Sequence, residues 1–91
     1  AVLNKLVLDG NPIQDEGAIA LGEALKSNKT LKELELNNCG IGAEGGKALA
    51  STLGIAVLTK LDVIYNRGLN DEAKQALRDA VKEREGFKLE V

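Results

Sequence analysis

LKELELNNCGIGAEGGKALASTL, residues 31–53, is the stretch that decides the fold. Its first half places apolar residues at the spacing L-x-x-L-x-L-x-x-N/C-x-L, and its second half repeats apolar or small residues at helical spacing. The pattern therefore predicts a short strand followed by a helix. The strand and turn positions are Leu31, Leu34, Leu36, Cys39 and Ile41, and the helical positions are Gly45, Ala48, Leu49 and Leu53.

Similar segments lie on both sides of this stretch. A first copy begins at Leu3, 28 residues before Leu31, and a third begins at Leu58, 27 residues after it. The third copy slips by one position, so we infer one inserted residue in the turn 66–68 before Leu69. Such a unit can bury its apolar residues only against neighbouring units. The sequence predicts a single domain, 1–91, with units at 3–30, 31–57 and 58–85 and a C-terminal cap at 86–91.

Turn and capping residues set the expected bounds of the elements. Pro12 cannot donate to a ladder, so the first strand ends before it. Asp15-Glu16 and Asp71-Glu72 suit the positive ends of two helices, and Gly54 is a candidate C-cap. Residues 87–91 alternate like a closing edge strand. The expected strands lie near 5–8, 33–36 and 60–63, and the expected helices lie near 15–27, 43–53 and 70–85.

One position of the repeat carries a short polar side chain where the chain leaves its strand. Asn11 and Asn66 can bond the turn backbone there, and the thiol of Cys39 can do so weakly. We therefore interpret Cys39 as structural; the alternative, a reactive thiol, has no neighbour in sequence that would depress its pKa. A single cysteine cannot form an intrachain disulfide, which favours a reducing, cytoplasmic location.

Several classes of function are excluded or disfavoured by composition. The chain has no histidine and one cysteine, which removes the common nucleophile–base pairs and zinc sites. The glycines do not form a phosphate loop, and Gly45 is better explained as the small residue that lets a helix pack on its strand. The net charge is −2 with both signs dispersed, and no apolar run approaches the roughly 18 residues that span a bilayer. We expect no enzyme activity, cofactor or metal, and no nucleic-acid or membrane partner.

The remaining candidate is a surface for protein binding. Because strand side chains alternate, the residues between the inward leucines lie on the opposite side of the sheet, here called the concave face. Glu35 and Asp62 are adjacent there, which is unfavourable unless a cation intervenes, either Lys60 of the chain or a basic group of a partner. The three predicted rows are Lys5, Glu33 and Lys60; Val7, Glu35 and Asp62; and Asp9, Asn37 and Ile64.

Apolar residues outside the repeat positions are a second candidate. Tyr65 follows Ile64 at the end of the third strand, where it could pack in the core or anchor a partner; both alternatives stay open. Ile55 and Val57 are expected to pack in the core.

The first unit, which starts at Ala1-Val2-Leu3, has no polar element to cover its strand edge. Two explanations are compatible: the chain is the C-terminal piece of a longer array, or two copies cover each other as a homodimer. The second predicts a structural or self-assembling unit that dimerises through its first repeat, as the alternative to a module that binds a partner on the concave face.

The segments LxxLxLxxNxI and LxxLxLxxCxI, with helices GAIALGEALKSN and GGKALASTL, resemble the ribonuclease-inhibitor type of leucine-rich repeat. The resemblance covers essentially the whole chain, and the ending DEAKQALRDAVKEREGFKLEV is similar to the terminal repeat of such arrays. It implies a right-handed α/β solenoid with a concave parallel sheet, convex helices and a role in protein binding. Some proteins of this type activate GTPases or cap actin filaments. The residues that match here are core residues, so neither kind of site carries over to this chain.

Overall fold

A computed structural model describes residues 3–91, so the predicted open start at Ala1 and Val2 lies outside the described residues. Strands and helices alternate along the chain, and a fourth strand follows the last helix. The elements are β1 Lys5–Val7, α1 Gln14–Ser27, β2 Glu33–Glu35, α2 Ala43–Ala50, β3 Lys60–Asp62, α3 Asp71–Val81 and β4 Lys88–Glu90.

The four strands form one parallel sheet in the order β1-β2-β3-β4. Leu6 pairs with Leu34, Leu34 with Leu61, and Leu61 with Leu89, so the repeat positions lie in register across the sheet. Leu34 and Leu61 are fully buried, whereas their strand neighbours lie on the opposite side. The predicted α/β solenoid of stacked strand–helix units with a closing strand is confirmed.

The core runs through the second and third units, and the first unit is less covered. Leu31 and Leu34 are 6% and 0% exposed, whereas Leu3, which is equivalent to Leu31, is 60% exposed. Leu6 is half-buried, and its strand pairs with β2 alone within the described chain. Burial by a neighbouring unit therefore accounts for much of the difference between equivalent positions.

Two adjacent glycines let α2 approach both neighbouring helices. A β-carbon on Gly45 would lie 3.0 Å from the β-carbon of Ala18 in α1, and one on Gly46 would collide with Leu69 before α3. Gly45 was expected to let its helix pack on its own strand. A β-carbon there would lie 2.7 Å from Asp15 Oδ1 of α1 and 2.9 Å from the Ile41 side chain of its own unit, so both the stacking of units and the packing within the unit require a small residue.

Two helices are shorter than predicted. α2 ends at Ala50, and the predicted C-cap at Gly54 is wrong because the Ser51 and Thr52 hydroxyls donate to Ala48 O (2.7 Å) and Leu49 O (2.9 Å) inside the last turn. Such local hydrogen bonds compete with continued helix.

α3 ends at Val81 rather than near residue 85. The Arg84 N–H donates to Val81 O at 2.9 Å, and Gly86 has a positive φ of 84°, so this segment forms turns that lead into β4.

The loops that enter and leave the third unit differ in how well they were predicted. Leu69 is 4% exposed, so the inserted residue in the turn 66–68 does place Leu69 in the core. Ile55 is 62% exposed, which contradicts the expectation that it packs inside. Ala56 and Leu58 fill the core instead, at 6% and 0% exposed, and Val57 is half-buried.

Asp15 caps a helix of the next unit rather than its own. Its Oδ1 accepts the Gly42 N–H at 2.6 Å and the Gly45 N–H at 3.0 Å, and α2 has no capping side chain of its own. The first two units are therefore joined through the N-terminus of α2, where unpaired N–H groups require acceptors.

We expect Asp15→Ala to lower the free energy of unfolding by about 1–2 kcal/mol, because two N–H groups at the start of α2 lose their acceptor. Urea unfolding followed by circular dichroism measures the change. Glu16→Ala is the matched control: it removes an equal charge from the next, exposed position and should change stability by less than about 0.5 kcal/mol. Equal losses for the two variants would show that charge, not capping, is responsible.

Candidate functional site

The concave face is assembled by the register of the sheet. Glu33 lies between Lys5 and Lys60, and Glu35 lies between Val7 and Asp62, as the sequence predicts. β4 extends both rows, since Lys88 pairs with Lys60 and Glu90 with Asp62. The sequence interpretation missed Lys88 and Glu90 because it treated their segment only as a cap, although its alternation was the available signal.

Ion pairs on the concave face are long. Lys5 Nζ lies 3.5 Å from Glu35 Oε2, and Lys60 Nζ lies 4.0 Å from Glu33 Oε1 and 3.9 Å from Asp62 Oδ2. Lys60 was the residue of the chain expected to offset the charges of both Glu35 and Asp62. It lies near Asp62, whereas Lys5 lies near Glu35. Pairs of this length and exposure contribute at most a few tenths of a kcal/mol.

Asp62 is the least satisfied side chain of the concave face. It is 9% exposed and is flanked across the sheet by Glu35 and Glu90. Its Oδ1 atom is buried and accepts no hydrogen bond within the described structure. A buried carboxylate oxygen without a donor is costly, so this position favours an added donor or cation.

The third predicted row holds the units together. Asp9 Oδ1 accepts the Asn37 N–H at 2.8 Å, and Asn37 Oδ1 accepts the Ile64 N–H at 2.8 Å. Each of these two oxygens therefore accepts a hydrogen bond from the backbone of the next unit. Their side chains are less free to contact a partner than those of the first two rows.

Asn66 occupies the repeat position that Asn11 and Cys39 occupy in the other units, and its side chain holds the turn through hydrogen bonds. Its Oδ1 accepts the Cys39 N–H (2.9 Å) and the Ile41 N–H (3.0 Å), and its Nδ2 donates to Leu36 O (3.0 Å) and Val63 O (2.7 Å). Sequence reasoning recognised this position as structural but not that Asn66 bonds the preceding unit.

The thiol of Cys39 is fully buried and donates to Leu8 O at 3.2 Å. Burial raises the pKa of Cys39, which the N–H groups of Asn11 and Gly10 oppose. The neutral thiol is therefore favoured, as the structural interpretation of Cys39 requires.

Tyr65 is 80% exposed, so the chain does not bury it as a core residue. Its φ is 61°, in the left-handed region, and the equivalent residues Gly10 and Asn38 have φ of 78° and 55°. Glycine and asparagine adopt this region readily, whereas a bulkier side chain costs about 1 kcal/mol there. The equivalence of these three positions is a sequence signal that could have marked Tyr65 as unusual.

Two open clefts adjoin Tyr65. One of about 250 Å³ includes Arg67, Lys74 and Leu69 in its lining, and one of about 360 Å³ is lined by Asn38, Tyr65 and Arg67. Arg67 lies in the turn 66–68 and Lys74 lies in α3, so only the fold, and no regular spacing in the sequence, brings the two together.

Residues 3–91 contain neither a candidate metal cluster nor a helix able to cross a membrane. No group of three or more His, Cys, Asp or Glu side chains there could hold a metal ion. The described helices include none with the length and hydropathy needed to cross a membrane.

A family model described as leucine-rich repeat matches residues 1–22 and 27–50. Ran GTPase-activating protein 1 of Xenopus laevis is 46% identical over 55 residues, which are 58% of this chain and 10% of that protein. Human NACHT, LRR and PYD domains-containing protein 5 is 44% identical over 52 residues, 56% of this chain and 4% of that protein. This chain therefore spans a small fraction of either relative.

Among solved structures, the tropomodulin C-terminal domain of Caenorhabditis elegans is similar with a TM-score of 0.63. The match covers 98% of this chain and 73% of that one at 12% identity, and so it supports the fold alone.

Proposed function

This chain belongs to the leucine-rich repeat family, in its ribonuclease-inhibitor type, and on that premise we propose that it is a noncatalytic module that binds a protein partner on the concave face. Leucine-rich repeat domains commonly mediate protein–protein interaction. The GTPase activation in the name of one relative belongs to that protein, of which this chain matches a tenth.

The carboxylate row formed by Glu35, Asp62 and Glu90 carries the proposal. Neighbouring strands lie about 4.8 Å apart, so these like charges repel one another in the free chain. Lys60 reaches Asp62 only at 3.9 Å and leaves the buried Oδ1 of Asp62 without a donor. A lysine or arginine side chain of a partner would relieve the repulsion within the row, and arginine would do so with two parallel hydrogen bonds to carboxylate oxygens that stay accessible.

Residues around the row are suited to a contact surface. Val7 is 51% exposed beside Glu35, and Lys5 and Lys60 are the cations that an incoming basic group would displace. Binding would thus replace the long, weak ion pairs that Lys5 and Lys60 form within the chain with shorter ion pairs to the partner. Such charge complementarity gives specificity more than raw affinity.

Selection from a random peptide library displayed on phage tests this function without a known partner. Peptides are selected on the wild-type chain alone, and their affinities are then measured for that chain and for the variant carrying Glu35→Gln and Asp62→Asn. We expect the enriched peptides to contain arginine or lysine and to bind the variant at least about tenfold more weakly. Both substitutions remove repulsion, so the variant should keep the wild-type melting temperature.

A variant with Glu16→Gln and Glu83→Gln is the matched control, since it removes two exposed carboxylates away from the concave face. It should bind the selected peptides as the wild type does. Peptides without basic residues, or equal affinity for the wild type and the concave-face variant, would refute the proposed surface.

Homodimerisation through the first repeat is the second candidate. It is favoured by the unpaired edge of β1 within residues 3–91 and by Leu3, which is 60% exposed. Sedimentation or light scattering at high protein concentration tests this candidate, because a strictly monomeric mass would exclude the homodimer.

A cytoplasmic location stays a prediction, supported by the single buried thiol of Cys39.

A further inference from the structure

We propose that the clefts beside Tyr65 form a docking site for an acidic, partly aliphatic segment of a partner protein, separate from the carboxylate row. Both clefts open where the chain leaves β2 and β3, and Tyr65 and Arg67 line both of them. The two side chains therefore form the wall that the clefts share. The site is organised around one tyrosine and one arginine.

The backbone at Tyr65 shows that folding alone does not account for this residue. The position adopts the left-handed conformation in every unit, and Gly10 and Asn38 occupy it in the other two. Glycine or asparagine would form the same turn with less strain. The ring is 80% exposed and so contributes little packing within the chain. An exposed aromatic side chain held on strained backbone points to a binding role.

The charges around the site specify the chemistry of its occupant. Arg67 and Lys74 both line the 250 Å³ cleft, and neither forms an ion pair with any residue of 3–91. Lys74 is half-buried, which strengthens its interaction with an anion. An aspartate or glutamate carboxylate can bridge these two cations.

The apolar lining specifies the rest of the occupant. Ile64 and Leu69 contribute to the same cleft, so an aliphatic side chain next to the carboxylate would be covered there together with the Tyr65 ring. A polyanion such as a nucleic acid fits less well, because the chain has a net charge of −2 with both signs dispersed along the sequence. The site is therefore matched to single carboxylates in an aliphatic peptide.

Fluorescence anisotropy with a labelled peptide of alternating aspartate and leucine tests the site on the full chain. We expect this peptide to bind, and its counterpart with asparagine for aspartate to bind at least about tenfold more weakly. Tyr65→Asn and Arg67→Gln should each weaken binding about tenfold, whereas Tyr65→Phe should retain it. Lys29→Gln is the charge-matched control, since Lys29 lies in the loop after α1 and does not line the clefts.

Tyr65→Asn copies the residue of the second unit, so the variant should fold, and thermal unfolding verifies that it does. Equal binding of the two peptides, or unchanged affinity in a folded Tyr65→Asn variant, would overturn the proposal. Binding of inorganic phosphate without binding of the aspartate peptide would also overturn it, because it would indicate a small-anion site. The variant with Glu35→Gln and Asp62→Asn should bind the peptide normally, and a loss there would show that the two surfaces are not separate.

Discussion

Asn66→Ala is expected to lower the free energy of unfolding by about 3–5 kcal/mol, the larger of the two strongest effects that the structure predicts. The change removes two acceptor bonds to Cys39 and Ile41 and two donor bonds to Leu36 and Val63. Those backbone groups lie at the boundary between the second and third units, where water does not readily replace the lost partner. A domain of this length is stable by only about 5–14 kcal/mol, so the substitution would remove a large fraction of the total free energy of unfolding.

Asn11→Ala is the matched control for this prediction. Asn11 holds the equivalent position in the first unit but is exposed, and within residues 3–91 its side chain makes one hydrogen bond, from Nδ2 to Leu8 O at 3.0 Å. We expect a loss below about 1 kcal/mol. Urea denaturation of both variants measures the two losses of unfolding free energy. Similar midpoints would contradict the prediction, because they would show that the hydrogen bonds across the unit boundary add little stability.

Leu34→Ala is expected to cost about 3–4 kcal/mol, because it removes a fully buried side chain from the central strand β2 and leaves a cavity that the flanking strands cannot fill. Its partners in the register are Leu6 on one side and Leu61 on the other. Calorimetry or urea denaturation measures the loss, and the midpoint should fall without a change in the final unfolded signal.

Leu6→Ala provides the comparison at an equivalent position. Leu6 is half-buried on the outermost strand, and so its loss should be about half as large. If Leu6→Ala were as damaging as Leu34→Ala, another surface would have to cover β1 in solution, which would favour the homodimer over the monomeric module.

The sequence predicts the strands, their parallel pairing and the buried leucines because these depend on a hydrophobic pattern that each unit repeats. Leu6, Leu34 and Leu61 align by spacing alone, and the sheet places them in register. The closing strand was also predictable, since Leu89 alternates with charged residues as Leu61 does. Repetition thus gives the fold without any knowledge of individual contacts.

The helix ends and the loop before the third unit were not predictable in the same way. Ser51 and Thr52 terminate α2 through hydroxyl bonds whose formation depends on local geometry, and a pattern of apolar residues does not report them. Ile55 is exposed because Ala56 and Leu58 occupy the available core space. Periodicity predicts which side of a helix or strand is apolar. It does not predict which residues of a short connecting loop are buried in the core.

The candidate surfaces were predicted only in part. The rows that contain Glu35 and Asp62 follow from alternation, whereas the unpartnered oxygen of Asp62 depends on the distance and direction of Lys60. Asp15 lies in the first turn of α1, as the sequence predicts, but its hydrogen bonds to the start of α2 were not predicted. The cleft of Arg67 and Lys74 joins an inserted turn to a helix, so no regular spacing connects them.

Bonds that join the units connect residues about one period apart, as with Asp9 and Asn37, 28 positions apart, and Asn37 and Ile64, 27 positions apart. Tandem duplication of a block of that length, begun at any point of the chain, would give every new acceptor an equivalent donor in the adjoining block. An array built in this way can lengthen in one genetic event without a second, compensating mutation. The one insertion inferred from the spacing, in the turn 66–68, lies directly at such a joint.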